Sequence, residues 1–372
     1  MTALRLGFSF LFLIGFSSFI ATLAAQERKP KERKPKEREL KEREPQELEP
    51  QEAREPDASP LKTRLLRVDD RARMFMVAAP AAAKTKKTPV VFVLHGGGGN
   101  CRQFARKLAI EKSKLGRQFI VVYPQSTALD RKPNWNDGRT PTQKGKEALA
   151  KVDDVKYLLA VLEQIEKDYQ VDPSRVYATG ASNGGFMVNK LANETSRFAA
   201  IAPVIGSMSD DTYQNFKPPK STSVLFINGT ADPLVPYLGG RVGTRRLDLG
   251  KSISIHKAVK KWVAHNQCQE NPTINALEDK DPNDGTKSKR FVYGSGQNNT
   301  VVELIEIEGG GHNWPGATPY ATKRLIGNSC QDFDATQVIL RFFLDHPAKA
   351  GKDIPAPGNQ DSGKKQAGDK SK

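Results

Sequence analysis

The stretch Val176-Tyr-Ala-Thr-Gly180-Ala181-Ser182-Asn183-Gly184-Gly185 decides the fold of this chain. It opens with an apolar run typical of a buried strand, passes through the pattern Gly-x-Ser-x-Gly, and continues into residues 186–194, which have helical spacing. A serine placed between such a strand and such a helix stands exposed on a sharp, strained turn. Side chains larger than glycine, two positions before or after Ser182, would collide with neighbouring strands. The stretch therefore predicts a serine raised above the edge of a sheet.

The Gly-x-Ser-x-Gly pattern is weak by itself, because glycine and serine are common in turns. The strand before it and the helix after it supply the context in which the serine acts as a nucleophile. Ser182 also lies at a helix N-terminus, where free N–H groups and the helix dipole favour negative charge. We interpret Ser182 as a candidate nucleophile, with an ordinary turn as the alternative.

Further apolar runs of strand length surround this stretch. They cover residues 65–68, 74–77, 90–94, 119–123, 201–204, 224–227, 291–293 and 301–307. Segments with helical spacing lie among them at residues 100–114, 152–169, 253–265 and 334–344. Strands that alternate with helices indicate βαβ units, hence an α/β fold: a three-layer sandwich with a mainly parallel central sheet. In such sheets the ligand site lies beyond the C-terminal ends of the strands.

Two more polar side chains follow predicted strands. Asp232 closes the run Asn-Gly-Thr-Ala-Asp after residues 224–227, and His312 follows three glycines after residues 301–307. The order Ser, Asp, His is that of α/β-hydrolases. His312 could take the proton of Ser182 and return it to a leaving alcohol, while Asp232 holds the imidazole tautomer.

Each member of this candidate triad has an ordinary alternative, since an aspartate after Gly-Thr is commonly a turn residue and a histidine is commonly packed or exposed. The other histidines are less suitable bases: His256 and His265 lie on a predicted helix, His346 follows the last helix, and His95 belongs to a glycine loop. The glycines before His312 fit a mobile loop that places the ring closely.

Stabilising an oxyanion requires two backbone donors. The N–H of Asn183, the residue after the candidate nucleophile, is one. The other is expected from the loop His95-Gly-Gly-Gly, by analogy with glycine loops of lipases and esterases, and we assign it to Gly97 rather than Gly96. Glycine lets a backbone amide approach a substrate without a Cβ in the way.

The chain resembles the polyhydroxybutyrate depolymerase-like esterases, which include feruloyl and acetylxylan esterases of carbohydrate esterase family one. The motifs that carry the resemblance are His95-Gly-Gly-Gly, Tyr123-Pro-Gln, Asn134-Trp-Asn, Val152-Asp-Asp-Val, Gly180-Ala-Ser-Asn-Gly, Asn228-Gly-Thr-Ala-Asp and Gly311-His-Asn-Trp-Pro. They extend over residues 65–344. The resemblance implies a serine carboxylesterase of α/β-hydrolase fold that acts on an ester substrate without a cofactor.

Carried over by position, the resemblance names the same triad of Ser182, Asp232 and His312. It also places Trp135 and Trp314 near the site as candidate substrate-binding residues, with core packing as an equal alternative for each. Asp153 and Asp154 open a predicted helix, and N-terminal capping is the better interpretation of both.

The ends of the chain predict other roles. Residues 1–25 have the positive start, apolar segment and small residues of a secretory signal peptide, with a membrane anchor as the alternative. Residues 26–60 are a charged, proline-rich repeat that predicts a disordered linker. We expect a catalytic domain at residues 61–346 and a disordered tail at 347–372. The chain should therefore be secreted, periplasmic or envelope-associated, with no membrane span after cleavage.

The formal net charge is +16, and most of the excess lies on the predicted domain. This charge fits anionic polymers or membrane surfaces, or simply a soluble basic protein. No motif supports nucleic-acid binding, and no Cys/His spacing resembles a zinc site, so we expect no metal. Of the three cysteines, Cys101 is expected to be buried, whereas Cys268 and Cys330 are expected to form a disulfide. The oligomeric state has no signal in the sequence.

Two alternatives to an esterase remain open. The first is a non-catalytic envelope or glycan-binding protein on a retained hydrolase fold, which the linker and basic charge fit but an intact triad does not. The second is a serine peptidase on the same fold. Peptidases of this kind usually carry an added gating domain, and residues 206–222 are too few to build one.

Overall fold

The computed structural model describes residues 60–129, 132–139, 147–244 and 246–349, which belong to one compact unit. The predicted signal peptide, nearly all of the linker and most of the predicted tail lie outside the described residues. The backbone N–H of Ala348 donates to Ser174 O at 2.8 Å, so the bonded chain continues two residues past the predicted domain end at 346.

Apolar runs form the strands. Within the described residues the strands are β1 (Lys62–Val68), β2 (Arg71–Ala78), β3 (Thr88–Leu94), β4 (Ile120–Pro124), β5 (Thr127–Leu129), β6 (Lys132–Asn134), β7 (Val171–Ala181), β8 (Ala200–Val204), β9 (Ser223–Gly229), β10 (Gly240–Thr244), β11 (Leu247–Ser252), β12 (Thr273–Ala276), β13 (Lys287–Tyr293) and β14 (Val302–Glu308).

Helices fill most of the connections. They are α1 (Cys101–Leu108), α2 (Glu147–Ala150), α3 (Asp154–Asp168), α4 (Asn183–Glu194), α5 (Asp210–Gln214), α6 (Ile255–Asn266), α7 (Lys323–Ile326) and α8 (Ala335–Asp345). Asp153 caps α3, as predicted, by accepting from Lys156 N. Asp154 does more than the prediction stated, because it is buried and pairs with Arg73 at 2.7 Å.

Ten strands form one sheet in the order β1-β2-β4-β3-β7-β8-β9-β14-β13-β12. The six strands from β4 to β14 are parallel, and an antiparallel pair flanks them at each edge. The predicted α/β fold with a mainly parallel central sheet is therefore confirmed. Helices cover both faces, which gives the three layers.

Alternate residues of β3 explain why its sequence is apolar throughout. Val90, Phe92 and Leu94 join a buried cluster with α3, α4 and α6 on one face. Val91 and Val93 join a second cluster with α1 and α8 on the other face. A strand covered on both faces needs apolar side chains at every position.

The order of the strands places the site. The chain runs from β3 to β4 on one side of β3, then crosses back to β7 on the other side. Ligands in open α/β sheets bind at such a switch point, beyond the C-terminal ends of the strands. His95 and its glycine loop directly follow the end of β3, and Ser182 directly follows the end of β7.

Two predictions about local structure were incomplete. The helix expected at residues 100–114 ends at Leu108, because Ala109 has a left-handed backbone (φ 43°) and its N–H donates to Ala105 O. The β10–β11 hairpin was not predicted, since its sequence Gly-Arg-Val-Gly-Thr carries little apolar periodicity.

The prediction of a disulfide between Cys268 and Cys330 is wrong, because both cysteines are free. Cys268 lies beside Thr300, near the Tyr293 end of β13, whereas Cys330 lies beside Ser288 at the other end of that strand. Five strand residues span roughly 17 Å, beyond the reach of a disulfide.

All three cysteines are free and buried, which confirms the prediction for Cys101. Separately, none of the helices among the described residues combines the length and the apolar character that crossing a bilayer requires.

Candidate active site

Ser182 lies on the strained turn that the sequence predicted. Its backbone has φ 55° and ψ −117°, and its N–H donates to Val204 O at 2.9 Å. The glycine requirement is real, since a Cβ on Gly184 would lie 2.4 Å from Leu94 O and one on Gly180 would lie 2.6 Å from the backbone of Gly184. Helix α4 can therefore start directly above β3 only with glycine at these positions.

Asp232 and His312 meet at the same edge of the sheet. His312 Nδ1 donates to Asp232 Oδ2 at 2.6 Å, and both side chains are buried. The other carboxylate oxygen of Asp232 accepts the N–H groups of Leu234 and Val235, each at 2.8 Å. The aspartate is thus held from one side while it orients the imidazole from the other.

The glycines before His312 serve close packing. A Cβ on Gly311 would lie 2.1 Å from Ile326 O, and one on Gly229 would lie 2.2 Å from Gly310 O. The Gly311 N–H donates to Asn328 O at 2.9 Å. The loop expected to be mobile is therefore packed against its neighbours, and the close placement of the ring follows from that packing.

A cavity of about 870 Å³ opens above these residues, and both Ser182 and His312 line it. Among the hydrogen bonds between described residues, none joins Ser182 Oγ to His312 Nε2. The structure thus brings the serine and the His–Asp pair to one cavity without a bond between hydroxyl and ring. Such bonds are often long without substrate and shorten when it binds.

The glycine loop after β3 also lines the cavity. Gly98 N donates to Pro133 O at 2.7 Å and Gly99 N donates to Gly96 O at 3.1 Å. The N–H of Gly97 has no partner among the described residues, and a Cβ on Gly97 would lie 3.5 Å from the Cβ of Asn183. Gly97 and Asn183, the two predicted oxyanion donors, are therefore neighbours.

His95 supports this loop in a way the sequence did not predict. Its Nδ1–H donates to Gly96 O at 2.8 Å, and its Nε2 accepts the N–H of Ser126 at 3.2 Å. Burial lowers the pKa of His95 to about 4, so the ring is neutral and has one defined tautomer. The position directly before the glycines was the only signal in the sequence.

The side chain of Asn183 is fixed by a second unpredicted network. It accepts the N–H of Trp135 at 2.8 Å and donates to Asp137 Oδ2 at 2.6 Å. Asp137 is buried and pairs with Arg139, whose Nη2 lies 2.6 Å away. The sequence predicts a role for the side chain of Trp135, but it is the backbone of Trp135 and the carboxylate of Asp137 that hold the residue after Ser182.

The two predicted tryptophans have different positions. Trp314 lines the cavity and donates from Nε1 to Thr336 Oγ1 at 3.1 Å. Trp135 is 1% exposed, donates from Nε1 to His95 O at 2.9 Å, and is not among the described residues that line the cavity. Trp135 therefore has the packing role, because it fills the space beneath the glycine loop.

Comparison with known proteins agrees with this architecture. A family model described as the prolyl oligopeptidase family matches residues 136–218, a segment that contains the turn at Ser182. The chain has the α/β-hydrolase fold. The chain is 28% identical over 288 residues to the protein named "Putative esterase NocK" from Nocardia uniformis subsp. tsuyamanensis, a match that covers 74% of this chain and 80% of NocK.

Two more relatives match over shorter spans. Feruloyl esterase B of Piromyces equi is 27% identical over 61% of this chain and 40% of its own length. Poly(3-hydroxyalkanoate) depolymerase C of Paucimonas lemoignei is 34% identical over 32% of this chain and 28% of its own length. The chain thus spans less than half the length of these two proteins. The predicted resemblance to carboxylic ester hydrolases is confirmed by these relatives.

Proposed function

We propose that this protein is a serine esterase in which Ser182 is the nucleophile, His312 the general base and Asp232 the residue that orients the base. The observation that carries the proposal is the 2.6 Å bond from His312 Nδ1 to Asp232 Oδ2, formed beside a cavity that Ser182 also lines. The order Ser, Asp, His along the chain supports it.

In the proposed reaction Ser182 Oγ attacks the ester carbonyl carbon while its proton passes to His312 Nε2. The tetrahedral intermediate then expels the alcohol oxygen, which takes the proton from His312 and leaves an acyl group on Ser182. A water molecule reverses these steps: it gives a proton to His312, releases the carboxylic acid and restores the serine. Asp232 stabilises the imidazolium in both halves of the reaction.

The oxyanion formed in each half requires donors that are already in place. Gly97 N–H and Asn183 N–H are our candidates, because both lie by the cavity and neither has a partner among the described residues. Losing one such donor costs roughly 3 kcal/mol of barrier. Both donors are backbone groups, so their positions depend on the residues that hold the backbone. His95 holds the glycine loop and Asp137 holds the Asn183 side chain, and we propose both as positioning residues.

Feruloyl or acetyl groups on polysaccharide are our first choice of substrate, followed by short polyhydroxyalkanoate oligomers. The names of the relatives support both choices. We further propose that the protein is exported through the predicted signal at residues 1–25. Expression in the native host, followed by N-terminal sequencing, should find a mature chain that starts near residue 26, outside the cytoplasm.

The test of the proposed reaction is hydrolysis of p-nitrophenyl acetate and methyl ferulate. Ser182→Ala should lower kcat by a factor on the order of 10⁴ or more. The matched control is Ser295→Ala, which removes an exposed hydroxyl outside the cavity and should leave kcat unchanged. A Ser182→Ala protein as active as the parent would rule out the assignment.

A serine peptidase is the second candidate, and the match to the prolyl oligopeptidase model favours it. Peptide p-nitroanilides tested beside the esters separate the two activities. Faster hydrolysis of the anilide than of either ester would select the peptidase. A protein that hydrolyses neither class but binds acidic glycan would select the non-catalytic alternative.

A further inference from the structure

The proposed active-site cavity has an unbalanced charge. Three basic side chains line it, from Lys107, Lys132 and Arg139, and no aspartate or glutamate is among the described residues of its lining. The carboxylates of Asp137 and Asp232 are already bonded to Arg139 and His312, and that of Asp248 is paired with Arg241. A ligand in this cavity therefore meets cations without competing anions.

Arg139 is the least available of the three. Its guanidinium contacts Asp137 through Nη2 at 2.6 Å and through Nε at 2.9 Å, and its carbon lies 4.2 Å from the centroid of the Phe186 ring. A bidentate pair with a buried carboxylate cancels the charge and fixes the geometry. Arg139 thus belongs to the scaffold that positions Asn183.

Lys107 is in a different situation. Its ammonium is half-buried, and among the described residues its polar contact is Asn313 Oδ1 at 3.4 Å, with the Tyr320 ring 5.2 Å away. Neither partner carries a negative charge. Burial lowers the pKa of Lys107, which reflects a cation desolvated without a carboxylate to compensate it. Lys132 is exposed at the rim, on β6.

The position of Lys107 also indicates which half of an ester it would meet. Its contact Asn313 directly follows His312, the residue proposed to protonate the leaving alcohol. An acyl group attached to Ser182 lies on the nucleophile's side. The alcohol half must lie on the side of the imidazole, and the contact with Asn313 places Lys107 next to the segment that carries this ring.

We propose that the preferred substrate carries a carboxylate on its alcohol half, so that the leaving group is a hydroxy acid, and that Lys107 binds this carboxylate. Lys132 at the rim attracts the same anion as it enters. This inference rests on the proposed esterase function and narrows its substrate class. The overall charge of +16 acts in the same direction at longer range.

The test compares two acetyl esters of similar shape, 4-acetoxybenzoate and 4-acetoxybenzamide. Only the first has a charged leaving group. The quantity measured is the ratio of their kcat/KM values in the parent and in Lys107→Gln. Because intrinsic differences in leaving-group reactivity are the same for both proteins, the change in this ratio reports the interaction with the carboxylate.

We expect the ratio to fall about tenfold or more in Lys107→Gln, since hydrogen bonds to charged groups contribute this much. The control is Lys260→Gln, which removes one positive charge from an exposed position on α6, outside the cavity, and should change the ratio less than twofold. An equal fall in both variants would mean a general charge effect and would overturn the assignment to Lys107.

Two further outcomes are distinguishable. A parent that hydrolyses both esters with a ratio unaffected by Lys107→Gln overturns this inference and leaves the esterase proposal intact. A parent that hydrolyses neither these two esters nor p-nitrophenyl acetate and methyl ferulate overturns both this inference and the esterase proposal.

If Lys107→Gln does not fold, inhibition of the parent protein is measured instead. We expect 4-hydroxybenzoate to inhibit at least tenfold better than 4-hydroxybenzamide, and equal inhibition by the two compounds overturns the inference. Acetylated 3-hydroxybutyrate and acetylated galacturonate then identify an aliphatic hydroxy acid or a uronic acid as the source of the carboxylate.

Discussion

Gly184 fixes the distance between the nucleophile turn and the strand that carries the glycine loop. Any Cβ there would be 2.4 Å from Leu94 O and 2.8 Å from His95 O, both backbone atoms that cannot move without shifting β3. We predict that Gly184→Ala lowers the free energy of unfolding by about 2 kcal/mol, the usual cost of overpacking. Urea unfolding monitored by fluorescence measures it.

Gly294 is the matched control, because a Cβ at that position would have nothing within 4 Å. Gly294→Ala should change the free energy of unfolding by less than about 0.5 kcal/mol. Equal stability of the two alanine variants would contradict the packing argument for Gly184.

His95 predicts a dependence of stability on pH. Its pKa falls from 6.5 to about 4 on folding because the ring is buried, so the unfolded chain binds more protons between these values. The contribution of His95 is complete above pH 6.5 and is lost as the pH falls toward 4, by about 3 kcal/mol in total. The melting temperature of the parent should therefore fall more steeply across this range than that of His95→Gln.

Carboxylates also titrate in this range, but they do so equally in both proteins, so the difference between the two curves isolates His95. Nitrogen NMR of the parent gives an independent check, since the His95 ring should remain neutral at pH 5. Parallel curves for parent and variant, together with a protonated ring at pH 5, would contradict the prediction.

For individual residues, the sequence predicted those that belong to a chemical motif, but it did not predict the residues that hold them in position. Ser182 and His312 follow predicted strands and could be found by position. The bond from Asn183 to Asp137 joins residues 46 positions apart, and nothing in either local pattern signals it. Trp135 shows the same limit, because a motif near a site does not reveal whether the side chain faces the cavity or the core.

Among the elements, the β13–β14 hairpin determines the state of the cysteines. It keeps Cys268 and Cys330 at opposite ends, and burial raises the pKa of all three thiols. We predict three free thiols that react slowly with Ellman's reagent in the native protein and fully in denaturant. Mass spectrometry after alkylation without reduction should find three modified cysteines, whereas one modified cysteine would mean that a disulfide forms.

Element boundaries were predictable where apolar periodicity is strong, as in β3 and α3. They were not predictable where a single backbone conformation decides, as at Ala109, which ends α1. The β10–β11 hairpin was missed for another reason: its short strands, Gly-Arg-Val-Gly-Thr and Leu-Asp-Leu-Gly-Lys-Ser, hold few apolar residues, and their stability comes from pairing with each other and from packing by Val242 and Leu249.

For the whole molecule, the core clusters and the candidate site residues all lie within residues 60–349. We predict that a protein restricted to these residues folds and keeps kcat/KM for p-nitrophenyl acetate within about twofold of the mature chain. A further cut at 346 removes the bond from Ala348 N to Ser174 O and should cost about 1 kcal/mol of stability. Loss of activity in the 60–349 protein would show that the terminal segments are required.

The alternation of strands and helices was enough to predict a parallel sheet, but not its order. Placing β7 beside β3 rather than beside β4 is a choice between non-local pairings that no local pattern encodes. For the same reason the positive charge of the cavity could not be predicted from the sequence, because Lys107 and its contact Asn313 are 206 positions apart in the chain.

The unpredicted β10–β11 hairpin divides the walls of the cavity into two kinds. One wall consists of sheet-edge loops whose backbones interlock. The other is the hairpin, which lines the cavity with Val242 and Leu249 and rests on a small apolar cluster with Phe186 and Val235, separate from both main cores. Replacing the hairpin by one of different length or composition should therefore change the shape of the cavity without disturbing either main core. Substrate selectivity could be altered by laboratory evolution of this hairpin at little cost in stability.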